Sequence, residues 1–430
     1  MNRVRAWLRG SGLPPWLAIR CAGARGRRVR ERVVRGGRRG RVRRMRSWLE
    51  SQEVPKASAP GRCDGDSVRP IRASPRRREE ESPIPGPLRR LFRWGLRIWL
   101  RTWRTVTGYV GYLLSFTRVR SHYIQQQWPG DVDLKTATRV AIFNHFDRHG
   151  RVHEFVHFYL QEIARAGYTL IFVTSAPTLR PVDLVRLTPL CGLILRRKNV
   201  GYDFGGFKDA IARIPDLGRL DSLLLANDSV YGPFHPLAPL VERMDPTAGD
   251  VWSMTDNWTW RFHLQTYFVL FGRRALESEA FHRFWRRVRY LPGKTAVVMW
   301  YEVGLTRAMI GAGLRCRALF PHRAVALGMT EAYAASKEPD ELTPSQRRRR
   351  FVDTVVDAID AGVPLNMTHF LWDFLIVETG CPFLKRDLLQ RNPSRVPGLQ
   401  RWDAVIRSVS RYDTDLIAQH LELSVRDRSV

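Results

Sequence analysis

From Thr136 onward, short apolar runs alternate with stretches whose apolar residues recur at helical spacing. Arg139-Val140-Ala141-Ile142-Phe143 reads as a buried strand leading into a polar turn, Asn144 to Gly150. Val152 to Ala166 carries a helical period, and Thr169 to Thr174 reads as the next strand. Leu193-Ile194-Leu195 follows as a third strand, Phe207 to Ile214 as a helix, and Ser222 to Ala226 as a fourth strand that stops at Asn227. Strands alternating with helices predict an α/β fold, a Rossmann-like, helix-flanked and mostly parallel sheet. Ligands of such sheets bind beyond the carboxyl ends of the strands. The loops Asn144 to Gly150, Arg196 to Gly205 and Asn227 to Gly232 all fall there.

Upstream the pattern differs. Leu88, Phe92, Leu96, Trp99 and Trp103 recur at three and four residues, and Arg90, Arg93, Arg97, Arg101 and Arg104 do the same on the opposite side. Residues 84–125 therefore read as a basic amphipathic helical segment suited to a membrane surface, with a helix packed on the protein's own core as the alternative. Residues 1–83 are rich in Arg, Gly, Pro and Ser without a sustained period, and read as a disordered extension. They read either as an arm for anionic lipid or RNA or as an unselected extension upstream of Met45.

The net charge of +30 raises the question of nucleic acid. Residues 1–83 hold 23 Lys and Arg against 8 acids, and residues 84–125 hold 8 Arg and no acid, so the remaining 305 residues carry only +7. A body so near balance is not expected to neutralise many phosphates, and nucleic acid is not the expected partner. Five widely spread cysteines without paired short spacing suggest neither zinc nor a redox motif, and fit a reducing, cytoplasmic compartment. No run of 18 uncharged apolar residues and no secretory core is present, so the protein is expected to lie peripherally on the inner face of a membrane.

Two loops carry candidate chemistry. Arg196 to Gly206 joins three cations, three glycines and an acid directly after a strand. Glycines permit close backbone approach, cations such as Arg196 offset phosphate, and Asn199 or Asp203 can bind sugar hydroxyls, with Gly201 and Gly205 shaping the turn. A tight structural turn is the alternative. Asn227-Asp228-Ser229 ends an apolar run, so Asp228 could hold Mg2+ or Mn2+ bound mainly through a diphosphate; it could equally cap a turn. His263, Gln265 and Tyr267 alternate along an apparent strand and could face an acceptor or sugar, or simply solvent. Asp256 lies near Trp252 and Trp258, and indoles beside a carboxylate suit carbohydrate.

Ordered blocks across residues 139–394 resemble the rhamnan synthesis F family. They are Asn199-Val200-Gly201-Tyr202-Asp203-Phe204-Gly205, then Asn227 through Pro233, Asp250-Val251-Trp252 with Thr255-Asp256, and His263 through Phe268. Trp372, Pro382, Phe383 and Lys385 add to them. The resemblance implies a GT-A-like glycosyltransferase, with Asn227-Asp228-Ser229 standing where that fold normally has two acids separated by one residue. It implies transfer of a deoxyhexose, typically rhamnose from a thymidine diphosphate donor (dTDP-rhamnose), to a bacterial cell-surface polysaccharide; a lipid-linked glycan is the expected acceptor, since it would account for a membrane-surface helix ahead of the catalytic body.

Tyr301-Glu302-Val303-Gly304-Leu305-Thr306, with Gly313 beyond it, is similar to the acidic motif of inverting members. That similarity makes Glu302 the general base and Asp256 its rival; an ordinary helix-start glutamate is the alternative. The expected organisation is a catalytic domain over 136–335 and a helical part of the same unit over 340–421. A non-catalytic, basic membrane- or RNA-binding protein on a sugar-nucleotide fold is the competing expectation, since fold alone does not fix function.

Overall fold

The computed structural model describes residues 123–259, 261–335 and 345–426. The extension 1–83 and the amphipathic segment up to residue 122 lie outside them. Tyr123 to Gln125, counted with that segment, are described, and Ile124 and Gln125 already belong to the first strand.

The elements run in the following order. β1 (Ile124–Pro129) and β2 (Arg139–His145) precede α1 (Glu154–Arg165), β3 (Thr169–Thr174), α2 (Pro181–Leu187), β4 (Cys191–Arg197), α3 (Tyr202–Ile211), β5 (Ser222–Asn227) and β6 (Val230–Tyr231). Then come α4 (Leu237–Glu242), β7 (Val251–Asn257), β8 (His263–Leu264), β9 (Phe268–Gly272), α5 (Glu279–Arg287), a π-helical turn Val298–Glu302 and α6 (Val303–Gly311). The chain closes with β10 (Cys316–Phe320), α7 (His322–Ala335), α8 (Ser345–Asp360), α9 (Trp372–Thr379), β11 (Leu384–Lys385), α10 (Arg386–Arg391), α11 (Trp402–Arg407) and α12 (Asp415–Arg426).

The main sheet has the order β1-β4-β3-β2-β5-β9-β7-β10, with β8 paired to β7. β4, β3, β2 and β5 are mutually parallel, while β1 and β9 run antiparallel to their neighbours. The expected mostly parallel, helix-flanked sheet is thus present. Antiparallel β1 carries its edge upstream of Thr136.

Period-two alternation explains how helices cover both faces. Along β2, Val140 and Ile142 point into one apolar layer, and Ala141 and Phe143 into the other. The first layer is closed by α3, α5 and α6 through Phe207, Trp285 and Leu305. The second is closed by α1 and the C-terminal helices through Phe155, Trp372 and Ile417. With both faces buried, the parallel strands have no polar side, which is why they read as continuous apolar runs.

Two boundaries differ from the sequence reading. The strand around Leu193 extends over Cys191–Arg197, because β1 on one side and β3 on the other continue the ladder. The following helix starts at Tyr202 instead of Phe207, so of the segment Arg196 to Gly205 only residues 198–201 are loop, between the end of β4 and the first turn of α3. Packing overrides the poor helix propensity of Gly205 and Gly206 here: a Cβ on Gly205 would meet Val200 O at 2.6 Å, and one on Gly206 would meet Asn144 Oδ1 at 2.2 Å.

The tail is tied to the segment just after β5 by β11, which pairs antiparallel with β6 in a separate two-stranded sheet. Phe383, 6% exposed, lies against Tyr159, Tyr267 and Phe268 with ring centroids 5.1, 5.8 and 5.9 Å away. Phe383→Ala is expected to cost about 3–5 kcal/mol in urea unfolding, the range for truncating a buried phenylalanine. A loss below about 1 kcal/mol would mean the tail does not depend on this anchor.

Candidate functional site

Strand order reverses between β2 and β5: β3 and β4 lie to one side of β2, and β5 to the other. Such a switch point leaves a crevice at the carboxyl ends. Its floor is set by register, since Asn144 of β2 is directly opposite Asn227 of β5. Into this gap the first turn of α3 delivers Asp203. Asn144 Nδ2 donates to Asp203 Oδ1 at 2.7 Å and Asn227 Nδ2 donates to Asp203 Oδ2 at 3.0 Å. One carboxylate therefore clamps two strand ends and a helix start.

The loop that aims Asp203 turns through left-handed backbone at Gly201 (φ 81°) and Tyr202 (φ 50°). A Cβ on Gly201 would lie 2.9 Å from Tyr290 Cα, so close packing on Tyr290 accounts for the glycine there. The arginines before it are held within the protein. Arg196 donates to Gln125, Gln126 and Pro177 O, and the fully buried Arg197 donates to Asp209, Ser175 and Val200 O. Asn199 is exposed at the loop's tip.

Asn227 turns the chain as well as holding Asp203: its Oδ1 accepts from Ser229 N at 3.1 Å and Ser229 Oγ at 2.6 Å. Asp228 Oδ2 is 2.8 Å from Arg386 Nη1, which also donates to the Asp228 carbonyl at 2.6 Å. The Arg386 guanidinium lies over the Phe155 ring, 5.5 Å from its centroid. Among the described residues no three His, Cys, Asp or Glu side chains gather to hold a metal ion. A divalent cation at Asp228 would have to share that carboxylate with the guanidinium.

Glu302 is reached through the backbone. Asn227 N–H donates to Tyr267 O, and the neighbouring Thr266 donates its N–H (2.8 Å) and hydroxyl (3.1 Å) to Glu302 Oε1. Oε2 has no hydrogen-bond partner among the described residues. Asp256 differs: Oδ2 accepts from Trp258 Nε1 at 3.0 Å and Oδ1 from His322 N–H at 2.5 Å, so each of its oxygens holds a hydrogen bond.

His263, Gln265 and Tyr267 do not share one strand, because the chain breaks between β8 and β9. All three are buried. Thr255 Oγ1 donates to Gln265 Oε1 at 2.7 Å and lies 2.8 Å from Tyr267 Oη, and His263 Nδ1 is 2.8 Å from Arg261 O. A solvent-facing polar stripe is thereby ruled out. Thr255, ten residues before Gln265 and twelve before Tyr267, pairs with both of these side chains inside the core.

Sequence reasoning did not single out Asn144 or Arg386. Asn144 directly follows the apolar run of β2 as Asn227 follows that of β5, which was the available signal. Arg386 lies 158 residues from Asp228 in sequence, and no local spacing could join them.

Burial pushes the Asp203 carboxyl up to about 6, with the Asp228 carboxylate adding repulsion and the Asn144 hydrogen bond opposing. A carboxyl whose folded pKa exceeds its unfolded value holds its proton more tightly in the native chain. Its contribution to stability is therefore present below about pH 4 and is lost as pH rises through about 6. In urea unfolding from pH 4 to 7, the stability difference between wild type and Asp203→Asn should fall with pH over that window. A difference flat with pH would show that Asp203 titrates normally.

Residues 170–344 match the family model described as Rhamnan synthesis protein F, which bears out the resemblance over that stretch. An uncharacterized protein y4gN of Sinorhizobium fredii is 31% identical over 162 residues, 36% of this chain. The aligned part spans 42% of that relative's length. Virulence protein VirA of Vibrio anguillarum is 28% identical over 239 residues, covering 54% of this chain and 73% of its own. Among solved structures, the galactosyltransferase LgtC in complex with donor and acceptor sugar analogs is similar at 11% identity and TM-score 0.28, over 65% of this chain and 99% of that one. The glycosyltransferase GlyE of Streptococcus pneumoniae is similar at 10% identity and TM-score 0.31, over 64% and 66%.

Proposed function

We propose that this protein is a nucleotide-sugar-dependent glycosyltransferase of GT-A type, with its donor in the crevice between β2 and β5. The observation that carries the reading is the convergence there of Asp203, Asn227, Asp228 and the Thr266–Glu302 pair, drawn from separate blocks of the family resemblance. In this reading Asp203 holds the two strand ends in place through the carboxamides of Asn144 and Asn227, and either of its oxygens can accept a further hydrogen bond from a donor hydroxyl. Asn199 and the exposed Tyr202 edge stand at the mouth.

Glu302 suits a general base by geometry. Thr266 pins one oxygen, and the other is left for an acceptor hydroxyl. As the hydroxyl oxygen bonds to the anomeric carbon, its proton passes to Glu302 and the bond to the diphosphate breaks, inverting that carbon. Asp256, with both oxygens engaged, is the poorer base.

The family match at residues 170–344, described as rhamnan synthesis, supports a deoxyhexose donor, with dTDP-rhamnose the first to test, and in this reading the acceptor is a cell-surface polysaccharide carried on lipid. No helix of the described residues is long and apolar enough to cross a membrane. The basic stripe of residues 88–104 would bring the enzyme to the inner leaflet where such an acceptor lies.

Full-length protein incubated with a panel of thymidine and uridine diphosphate sugars should release nucleoside diphosphate and transfer sugar to an acceptor. Glu302→Gln should lower turnover by about 10²–10⁴-fold, the usual worth of a general base, and leave donor affinity unchanged. Absence of turnover with every donor, or a fully active Glu302→Gln, would sink the reading.

A further inference from the structure

Resting on that donor-site reading, we propose that the charge of the donor's diphosphate is met by the Lys385 ammonium, fastened at the crevice by Arg386, in place of a divalent cation at Asp228.

The placement follows from chain pairing. β11 pairs with β6 so that Lys385 is opposite Val230, one residue beyond Asn227-Asp228-Ser229, and Arg386 N–H donates to Ser229 O at 3.0 Å. The pair is therefore tied to the backbone of the second motif. Arg386 places its guanidinium on the Asp228 carboxylate and carbonyl, neutralising the acid that a metal would need.

Lys385 is left for other work. Its Nζ lies over the Tyr267 ring, 4.1 Å from the centroid, and Tyr267 O is the acceptor of the Asn227 N–H. Among the described residues no carboxylate oxygen comes within ion-pair distance of this ammonium. A half-buried cation without a paired anion is costly unless a ligand supplies one. Burial pulls its pKa below the ordinary lysine value, with Asp387 and Glu302 opposing, as for an amine short of a direct counterion.

In the transfer step the electron pair of the breaking bond passes to a diphosphate oxygen, and the acceptor's proton goes to Glu302. Lys385 would offset the charge that collects on that oxygen, the task a metal performs in other transferases.

The test is calorimetric titration of the full chain with dTDP, UDP, thymidine and uridine, each in EDTA and in excess Mg2+ or Mn2+. Nucleoside diphosphate binding should survive EDTA. Lys385→Met, which keeps the apolar stem over Tyr267, should weaken diphosphate binding by about 10-fold to 100-fold, as expected for loss of a charge-assisted hydrogen bond, and leave nucleoside binding unchanged. Lys385→Arg should recover most of the loss, and near-equal melting temperatures of the variants would exclude misfolding as the cause. Binding abolished by EDTA and restored by metal would overturn this inference while leaving the donor site standing. Wild-type affinity in Lys385→Met would overturn it too, and failure of every nucleotide in both buffers would bring down the donor-site reading with it.

Discussion

The clamp of Asp203 between Asn144 and Asn227 is the constraint on which the crevice depends. Two parallel strands on either side of a switch point end in register, and each turns a carboxamide toward the same carboxylate. A carboxylate accepts from both without rearrangement, whereas an alanine would leave two buried amides unpaired. Gly206 allows this by letting α3 approach the Asn144 side chain, closer than any Cβ would permit. Glycines that look like a phosphate cradle thus serve close packing.

A second dependence runs through the tail. The segment around Phe383 fills the apolar layer beneath the crevice, and the residues immediately after it supply cations above. Burial of one aromatic thereby fixes where Lys385 and Arg386 sit, so stability of the tail and electrostatics of the site are one problem. The arginines that precede the loop have the opposite fate. Arg197 is sealed in an ion pair with Asp209, a pair costly to break because either partner alone would be an uncompensated buried charge.

The two candidate bases differ in their hydrogen bonding. Asp256 and Glu302 both belong to recognisable blocks, and both are acids near aromatic residues. Trp258 and the His322 backbone place one donor on each oxygen of Asp256, while Thr266 takes one oxygen of Glu302. The same logic withdraws the polar trio of His263, Gln265 and Tyr267 from the surface, since Thr255 pairs with two of them within the core.

Apolar runs of β2, β3, β4 and β5 and the helical periods between them determined the parallel sheet, because burial on both faces leaves that pattern in any strand. The same runs located the carboxyl-end loops, and with them Asp203, Asn227 and Asp228. Beyond the reach of the sequence were the partners of those side chains: Asn144 across the switch point, Thr266 beside Glu302, and Arg386 on Asp228. Hydrophobic periodicity is local and survives in the linear chain. Hydrogen bonds and ion pairs between residues 36 to 158 positions apart exist only once the sheet order and the return of the tail have brought them together.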